Sequence, residues 1–251
     1  MLGRRRPVTD IVANALRARF GDFPIVYEEG VSGFELAHRR AKRIGHIRTV
    51  GQILFIQTIA RWLRISSRAR IAEIERQYAL DTTPVTRDVH YVRSINEGTV
   101  IDLLQAIRPE IVVVFGTRII GRSVLDAVPA RFINMHAGIT PGFRGSHGAY
   151  WALATGHPEL AGVTIHWVDS GIDTGGIVKQ ARIEIGPRDN FITYSYLQLA
   201  AGLPLLLQAV EEALCGEVRE ESLPGHLAAG SHLYHHPTIW SYLSSCLRGI
   251  R

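Results

Sequence analysis

Five consecutive apolar residues, Ile111-Val-Val-Val-Phe115, constrain this chain more than any other stretch. They follow a segment, Asn96 to Ile107, in which Val100, Leu103, Leu104 and Ile107 share one helical face and which Pro109 stops. A strand that is apolar at every position has both faces covered, as parallel strands do in a sheet flanked by helices. The cycle then repeats. A short helix around Arg122 to Val128 leads to a strand, Phe132 to His136, and then to a Gly-rich loop, Ala137 to Ser146. A helix over Gly148 to Ala154 and strands over Gly162 to Val168 and Ile177 to Ile185 follow.

Alternation of this kind predicts an α/β fold, a doubly wound and mostly parallel sheet. Upstream, Thr9 to Phe20 reads as a helix capped by Thr9 or Asp10 and closed by Gly21, and Pro24 to Tyr27 as a short strand. Residues 35–78 read as a basic helical insertion. The helix near Phe191 to Leu214 contains Pro204, which predicts a kink or a split. The expected division is an α/β domain over 1–186 and a short C-terminal extension, a helix and a docked tail, over 187–251. With 251 residues and 46% hydrophobic residues the chain has material for a real core. Cys215 and Cys246 are too few for a secreted disulfide framework, so a cytoplasmic location is expected. No signal peptide and no membrane span are read from the sequence.

The net charge of +5 is unevenly placed. Nine Lys or Arg residues (39, 40, 42, 43, 48, 61, 64, 68, 70) and no Asp or Glu fall between His38 and Arg70. A solvated helix face, peripheral membrane contact through 38–70, and nucleic acid binding all fit such a run. The absence of aromatics interleaved on the basic face disfavours nucleic acid.

Asn134 and His136, two apart on one strand, project from the same face at its carboxyl end, where open α/β sheets place ligands. An amide beside an imidazole suits a developing oxyanion, with the ring able to move a proton. Polar residues closing a strand are also ordinary turn chemistry. The loop Asp169 to Gly176 carries two carboxylates, of which Asp173 fits either proton handling or a turn. His226, His232, His235 and His236 lack a matching carboxylate or cysteine set, and no metal is expected.

Taken together, Asn134-Met-His136, Pro141-x-x-Arg-Gly145, Gly162-Val-Thr-Ile-His166 and Gly171-Ile-Asp-Thr-Gly175 resemble the formyltransferases that use N10-formyltetrahydrofolate. That family includes glycinamide ribonucleotide, methionyl-tRNA and sugar N-formyltransferases. The resemblance covers Ile111 to Ile185. It implies a Rossmann-like formyltransferase domain, N10-formyltetrahydrofolate as cosubstrate, and Asn134, His136 and Asp173 as the catalytic trio. It further implies that Gly116, Thr117, Arg118, Ile119 and Ile120 hold the folate's pterin ring, with Asp169, Ser170, Gly171 and Ile172 along its other side.

Two departures accompany it. Met1 to Pro7 is too short and too charged for the family's buried first strand, which is expected to be truncated or missing. Ala137-Gly-Ile-Thr-Pro141 replaces the Ser-Leu-Leu-Pro of the purine and tRNA enzymes, and the residues after Gly186 do not supply the tRNA enzyme's further barrel. The resemblance therefore implies a small-molecule amine acceptor, a nucleotide-linked 4-amino-4,6-dideoxy sugar such as GDP-perosamine for surface polysaccharide. Glycinamide ribonucleotide is the alternative, and a non-catalytic folate- or nucleotide-binding relative docked to membrane a further one. A homodimer is left open.

Overall fold

The computed structural model describes residues 1–30, 33–220 and 230–251. Seven strands form one sheet. They are β1 (Leu2–Arg4), β2 (Ile25–Glu28), β3 (Val89–Val92), β4 (Ile111–Phe115), β5 (Arg131–His136), β7 (Gly162–Trp167) and β8 (Ile177–Arg182), in the order β3-β2-β1-β4-β5-β7-β8. The first five positions are parallel; β7 runs antiparallel to β5, and β8 antiparallel to β7. Two short strands, β6 (Phe143–Gly145) and β9 (His232–Tyr234), pair apart from it.

The first strand, expected to be truncated or missing, is present and short. Leu2–Arg4 is only three residues long, yet it lies between β2 and β4 and pairs with both. Two neighbours supply hydrogen bonds on either side, so a length that would not persist at an edge persists here, and Leu2 is the one long apolar side chain it must bury. The first helix, α1 (Pro7–Phe20), begins two residues before the expected cap. Pro7 occupies its first turn, Arg6 is the N-cap, and Thr9 instead donates to the Arg4 carbonyl at 2.6 Å. Gly21 ends it in a left-handed conformation, as expected.

Helix α1 and the long helix α9 (Thr193–Leu214) cover one face of the sheet, sharing a core with Val113, Ile133, Met135, Val163 and Ile165. Among the described residues α9 alone is long and apolar enough to cross a membrane. Its buried residues Leu199, Leu203, Leu206 and Val210 pack on the sheet instead. Pro204 does not split this helix. It sits at an exposed position, so the ring points away from the sheet and the apolar stripe runs on unbroken. The boundary expected at Gly186 lies between β8 and α9, and α9 shares one core with α1.

The opposite face carries α6 (Gly98–Ile107) and α7 (Arg122–Leu125) over Leu2, Val26, Val112, Val114 and Phe132. The basic region forms α2 (Gly33–Ile44), α3 (His46–Phe55), a π-helical turn (Ile56–Ala60), α4 (Arg61–Ser66) and α5 (Arg68–Gln77). With α8 (Gly148–Ala154) and α10 (Ile239–Leu247) it encloses a third core around Phe55, Leu63, Phe143, Tyr150, Phe191 and Tyr242. Arg70 anchors it: its guanidinium holds the fully buried Asp189 carboxylate through two hydrogen bonds, at 2.8 and 3.1 Å.

Candidate active site

Strand alternation does the first part of the assembly. Ile133 and Met135 point into the α1/α9 core, so Phe132, Asn134 and His136 point to the other face. On β7 the same alternation sends Val163, Ile165 and Trp167 to the core and Thr164 and His166 to the face shared with Asn134. In the antiparallel register Asn134 lies opposite His166, and His136 opposite Thr164. Four polar side chains thus meet on one face of the sheet.

Their hydrogen bonds define their protonation. The Nδ1–H of His166 donates to the Trp167 carbonyl at 2.7 Å, which leaves Nε2 to accept from the Asn134 amide at 3.0 Å. One N–H of that amide stays available. His136 donates from Nε2 to the Phe143 carbonyl at 2.8 Å, and its Nδ1 faces Asp173 Oδ2 at 3.3 Å. Asp173 sits in left-handed backbone conformation on the loop after β7, which folds back over this face. The Gly145 N–H donates to its Oδ2 at 2.8 Å, and His166 Nε2 lies 3.6 Å from its Oδ1.

Burial pushes the His136 ring below its ordinary pKa, against the pull of Asp173. Burial works the other way on Asp173, yet the polar groups around its carboxylate, the Gly145 N–H among them, keep it below the usual carboxylate range. His136 Nδ1 and Asp173 Oδ2 therefore face each other at 3.3 Å. Such a pair takes up one proton and shares it.

Thr164, fully buried, ties the loop to the sheet. It donates to the Gly138 carbonyl at 2.7 Å and accepts from the Thr140 N–H at 3.1 Å and from Gln180 at 3.0 Å. In the loop after His136, Gly138 serves the chain's own packing, because a Cβ there would run into the Phe143 carbonyl. A cavity of about 450 Å³ opens beside Asp173, lined by Thr140, Pro141, Arg144, Thr174 and Glu220 among others. Thr140 Oγ1 and Arg144 Nε, both buried on this side, have no partner among the described residues, while Arg144 Nη1 holds the Ile172 carbonyl at 3.2 Å. Polar atoms left unpaired beside a cavity suit a polar ligand.

Residues 60–209 match the family described as formyl transferase. The chain belongs to that family. Among curated relatives, the methionyl-tRNA formyltransferase of Kosmotoga olearia is 30% identical over 151 residues, covering 59% of this chain and 46% of the relative. That of Anaeromyxobacter dehalogenans is 34% identical over 139 residues, covering 53% and 44%. The chain thus spans less than half the length of the curated relatives it matches. Among solved structures, a sugar N-formyltransferase from a Shewanella species superposes with a TM-score of 0.54 at 14% identity, covering 88% of this chain and 71% of its own. Glycinamide ribonucleotide transformylase 1 from Symbiobacterium toebii gives 0.54 at 19% identity, covering 88% and 92%. These two show the shared fold.

In this family member the structure brings together Asn134, His136 and Asp173, the residues to which the resemblance assigned catalysis. The segment expected to hold a pterin, Gly116 to Ile120, leaves β4 next to β5, with Val114 registered on Asn134. The buried Glu28 carboxylate braces it, accepting from the N–H groups of Arg118 at 3.1 Å and Ile95 at 2.8 Å and pairing with the Arg118 guanidinium. Asn96 clamps it from the other side, donating to the Ile119 carbonyl at 3.0 Å and accepting from Gly121 at 2.6 Å. Ile119 is exposed and Ile120 is in the core. On the second expected segment Asp169, Ser170 and Gly171 are exposed and Ile172 is half-buried; the Asp169 carboxylate accepts from the Gly171 N–H and the Thr174 hydroxyl, closing the turn.

Two features escaped the sequence reading. His166 was quoted only as part of a motif, and its signal was the same alternation that placed Asn134. The other is a cationic cluster beyond Gly145. His147, in left-handed conformation before α8, lies with its Nε2 3.0 Å from His236 Nδ1. Burial, the other ring, Arg6 and Arg40 hold His147 well below its ordinary pKa; burial, Arg40 and Arg6 lower His236 to about 4. Neither Arg6 nor Arg40 has a carboxylate partner among the described residues. Of the four tail histidines, His226 lies outside the described residues, and no group of His, Cys, Asp and Glu able to hold a metal occurs among the rest.

Proposed function

We propose that this family member transfers a formyl group from N10-formyltetrahydrofolate to the primary amine of a phosphate-bearing acceptor, favouring a nucleotide-linked 4-amino-4,6-dideoxy sugar such as GDP-perosamine. The transfer step is carried by one observation: an amide N–H, a neutral imidazole and a carboxylate converge on one face beside a cavity. The acceptor nitrogen attacks the formyl carbon, forming a C–N bond and a tetrahedral oxyanion. The free N–H of Asn134 stabilises that oxygen. The His136–Asp173 pair takes the proton the amine loses and supplies the one that N10 needs when its bond to the formyl carbon breaks, leaving tetrahydrofolate and the formamide. His166 orients the Asn134 amide. The pterin is assigned to the Gly116–Ile120 and Asp169–Ile172 segments, mainly through backbone groups.

A phosphate on the acceptor is favoured by Arg6 and Arg40, which have no carboxylate partner among the described residues and lie near His147, two residues beyond the Gly145 that binds Asp173. The same chemistry serves glycinamide ribonucleotide, the second reading. The sequence relatives bear the name of the tRNA enzyme, from which the loop after His136 departs, so likeness alone does not choose the acceptor. A cytoplasmic location belongs to the proposal, on the ground of two cysteines that are free.

The test is tetrahydrofolate release with GDP- and dTDP-linked amino sugars, glycinamide ribonucleotide and methionyl-tRNA each offered as acceptor. Turnover with one sugar nucleotide supports the favoured reading. Turnover with the ribonucleotide alone or the tRNA alone would replace the acceptor and keep the reaction. Folate binding without turnover on any amine would leave a binding protein in its place.

A further inference from the structure

The basic region docks by one side only. Residues His46 to Ser66 run as one continuous helix, about 30 Å long at ~1.5 Å per residue, interrupted by the π turn Ile56–Ala60 whose flanking residues keep right-handed helical conformation. Thr49, Gln52, Phe55, Ala60 and Leu63 are buried against the rest of the protein. Ile47, Val50, Leu54, Trp62 and Ile65 are exposed, Ile47 at 78% and Trp62 at 65%.

Leu54 and Trp62 are eight positions apart, which a regular α-helix would set about 80° apart around its axis. The π turn accommodates one extra residue, so those eight positions span the two turns that seven ordinarily would, and Trp62 returns to the line of Leu54. The exposed stripe is therefore continuous along the helix.

Helix α10 doubles its width. Trp240, Leu243 and Leu247 recur at helical spacing and are all exposed, Leu247 at 91%, while Tyr242 and Ser245 face inward. The two helices meet where the Trp240 ring lies on Gly51, a contact so close that any Cβ at Gly51 would overlap the ring. Gln52 closes the seam by donating to the His236 carbonyl at 2.7 Å. Helix α10 thus adds three exposed apolar side chains to the five of the helix it packs against.

The charge carried between Glu35 and Glu73 is of one sign. Lys42, Arg43, Arg48, Arg61, Arg64 and Arg68 are exposed, and no Asp or Glu occurs between Glu35 and Glu73 or after Glu221. A second copy of the chain laid on this face would oppose cations to cations. An apolar stripe bordered by Arg and Lys, with tryptophans in it, has the composition of a helix lying in the plane of a lipid surface. We propose that the face formed by His46–Ser66 and Ile239–Leu247 is a docking surface for a membrane of anionic phospholipid. This goes beyond the transfer reaction and stands or falls independently of it.

The experiment is flotation of the whole chain with phosphatidylglycerol-rich and with pure phosphatidylcholine vesicles, at low and high salt, beside light scattering for oligomeric state. Binding to anionic vesicles that weakens with salt is expected, with a blue shift of tryptophan emission. Leu54→Ser with Leu247→Ser, both exposed, should weaken partitioning at least about tenfold with the circular dichroism spectrum unchanged. Arg48→Ala and Arg61→Ala should each weaken it about fivefold on anionic vesicles. Equal binding to both lipids, or none at low salt, overturns the proposal. So does a dimer that dissociates in the Leu54→Ser/Leu247→Ser variant, which would make this an interface between copies.

Discussion

At the scale of single residues, the site is organised around a proton. His136 Nδ1 and Asp173 Oδ2 lie at a separation where one proton can join them, and Asn134 presents its amide with His166 fixing its orientation. Replacing His136 by Ala should therefore lower kcat roughly 10²–10⁴-fold while folate binding, measured by fluorescence titration, is kept. An unchanged kcat would remove His136 from the chemistry. Thr164 makes a different kind of prediction. Its hydroxyl serves three groups in a fully buried position, and Thr164→Val, nearly equal in volume, would leave them unpaired. The expected cost is about 3 kcal/mol in urea unfolding, since buried polar groups that lose a partner keep the full desolvation penalty.

At the scale of elements, the third core depends on a few long-range pins. Arg70 on α5 grips Asp189 just before α9 and is shared with Glu73, so one guanidinium joins the basic region to the helix that backs the sheet. Removing it with Arg70→Met strands a carboxylate that is fully buried. We expect a loss of about 3 kcal/mol, the lower end for breaking a buried ion pair, because Arg70 keeps some exposure. The loss should largely vanish in an Asp189→Asn background, where no buried charge is left; persistence of the full loss there would mean that Arg70 acts through packing. The Pro204 position teaches the same lesson in reverse. A helix interior tolerates proline where the ring faces outward, and the packing of Leu199, Leu203, Leu206 and Val210 outweighs one missing hydrogen bond.

At the scale of the whole molecule, proton uptake couples the fold to pH. His236 has a pKa of about 4 in the fold against about 6.5 unfolded, and His136 and His147 are shifted the same way. The unfolded chain thus binds more protons than the native one between those values. Stability from these groups is present above pH 6.5 and is lost as pH falls toward 4, by about 3 kcal/mol for His236 alone. Thermal melts across that range should show the decline, and His236→Asn should flatten it. Inorganic pyrophosphate, if it enters the cationic cluster, should raise the melting temperature most at the acid end, where protonated histidines would meet it.

The periodicities of this chain determined its elements and the first half of its site. A run of five apolar residues specified the central strand because a strand covered on both sides admits no polar position. Two-residue alternation put Asn134 and His136 on one face because successive side chains on a strand must point apart. The tertiary structure decided what those residues meet. Asp173 reaches His136 only because the loop after β7 folds back over the sheet, and His166 joins Asn134 only through antiparallel register. His147 and His236 come together across 89 residues, and Arg70 and Asp189 across 119. Periodicity is written in neighbouring residues by backbone geometry, whereas pairing at such separations depends on the path of loops and on which faces pack. The short strand Leu2–Arg4 shows both limits at once: too brief and too charged by local pattern, it forms because the two strands beside it complete its hydrogen bonds.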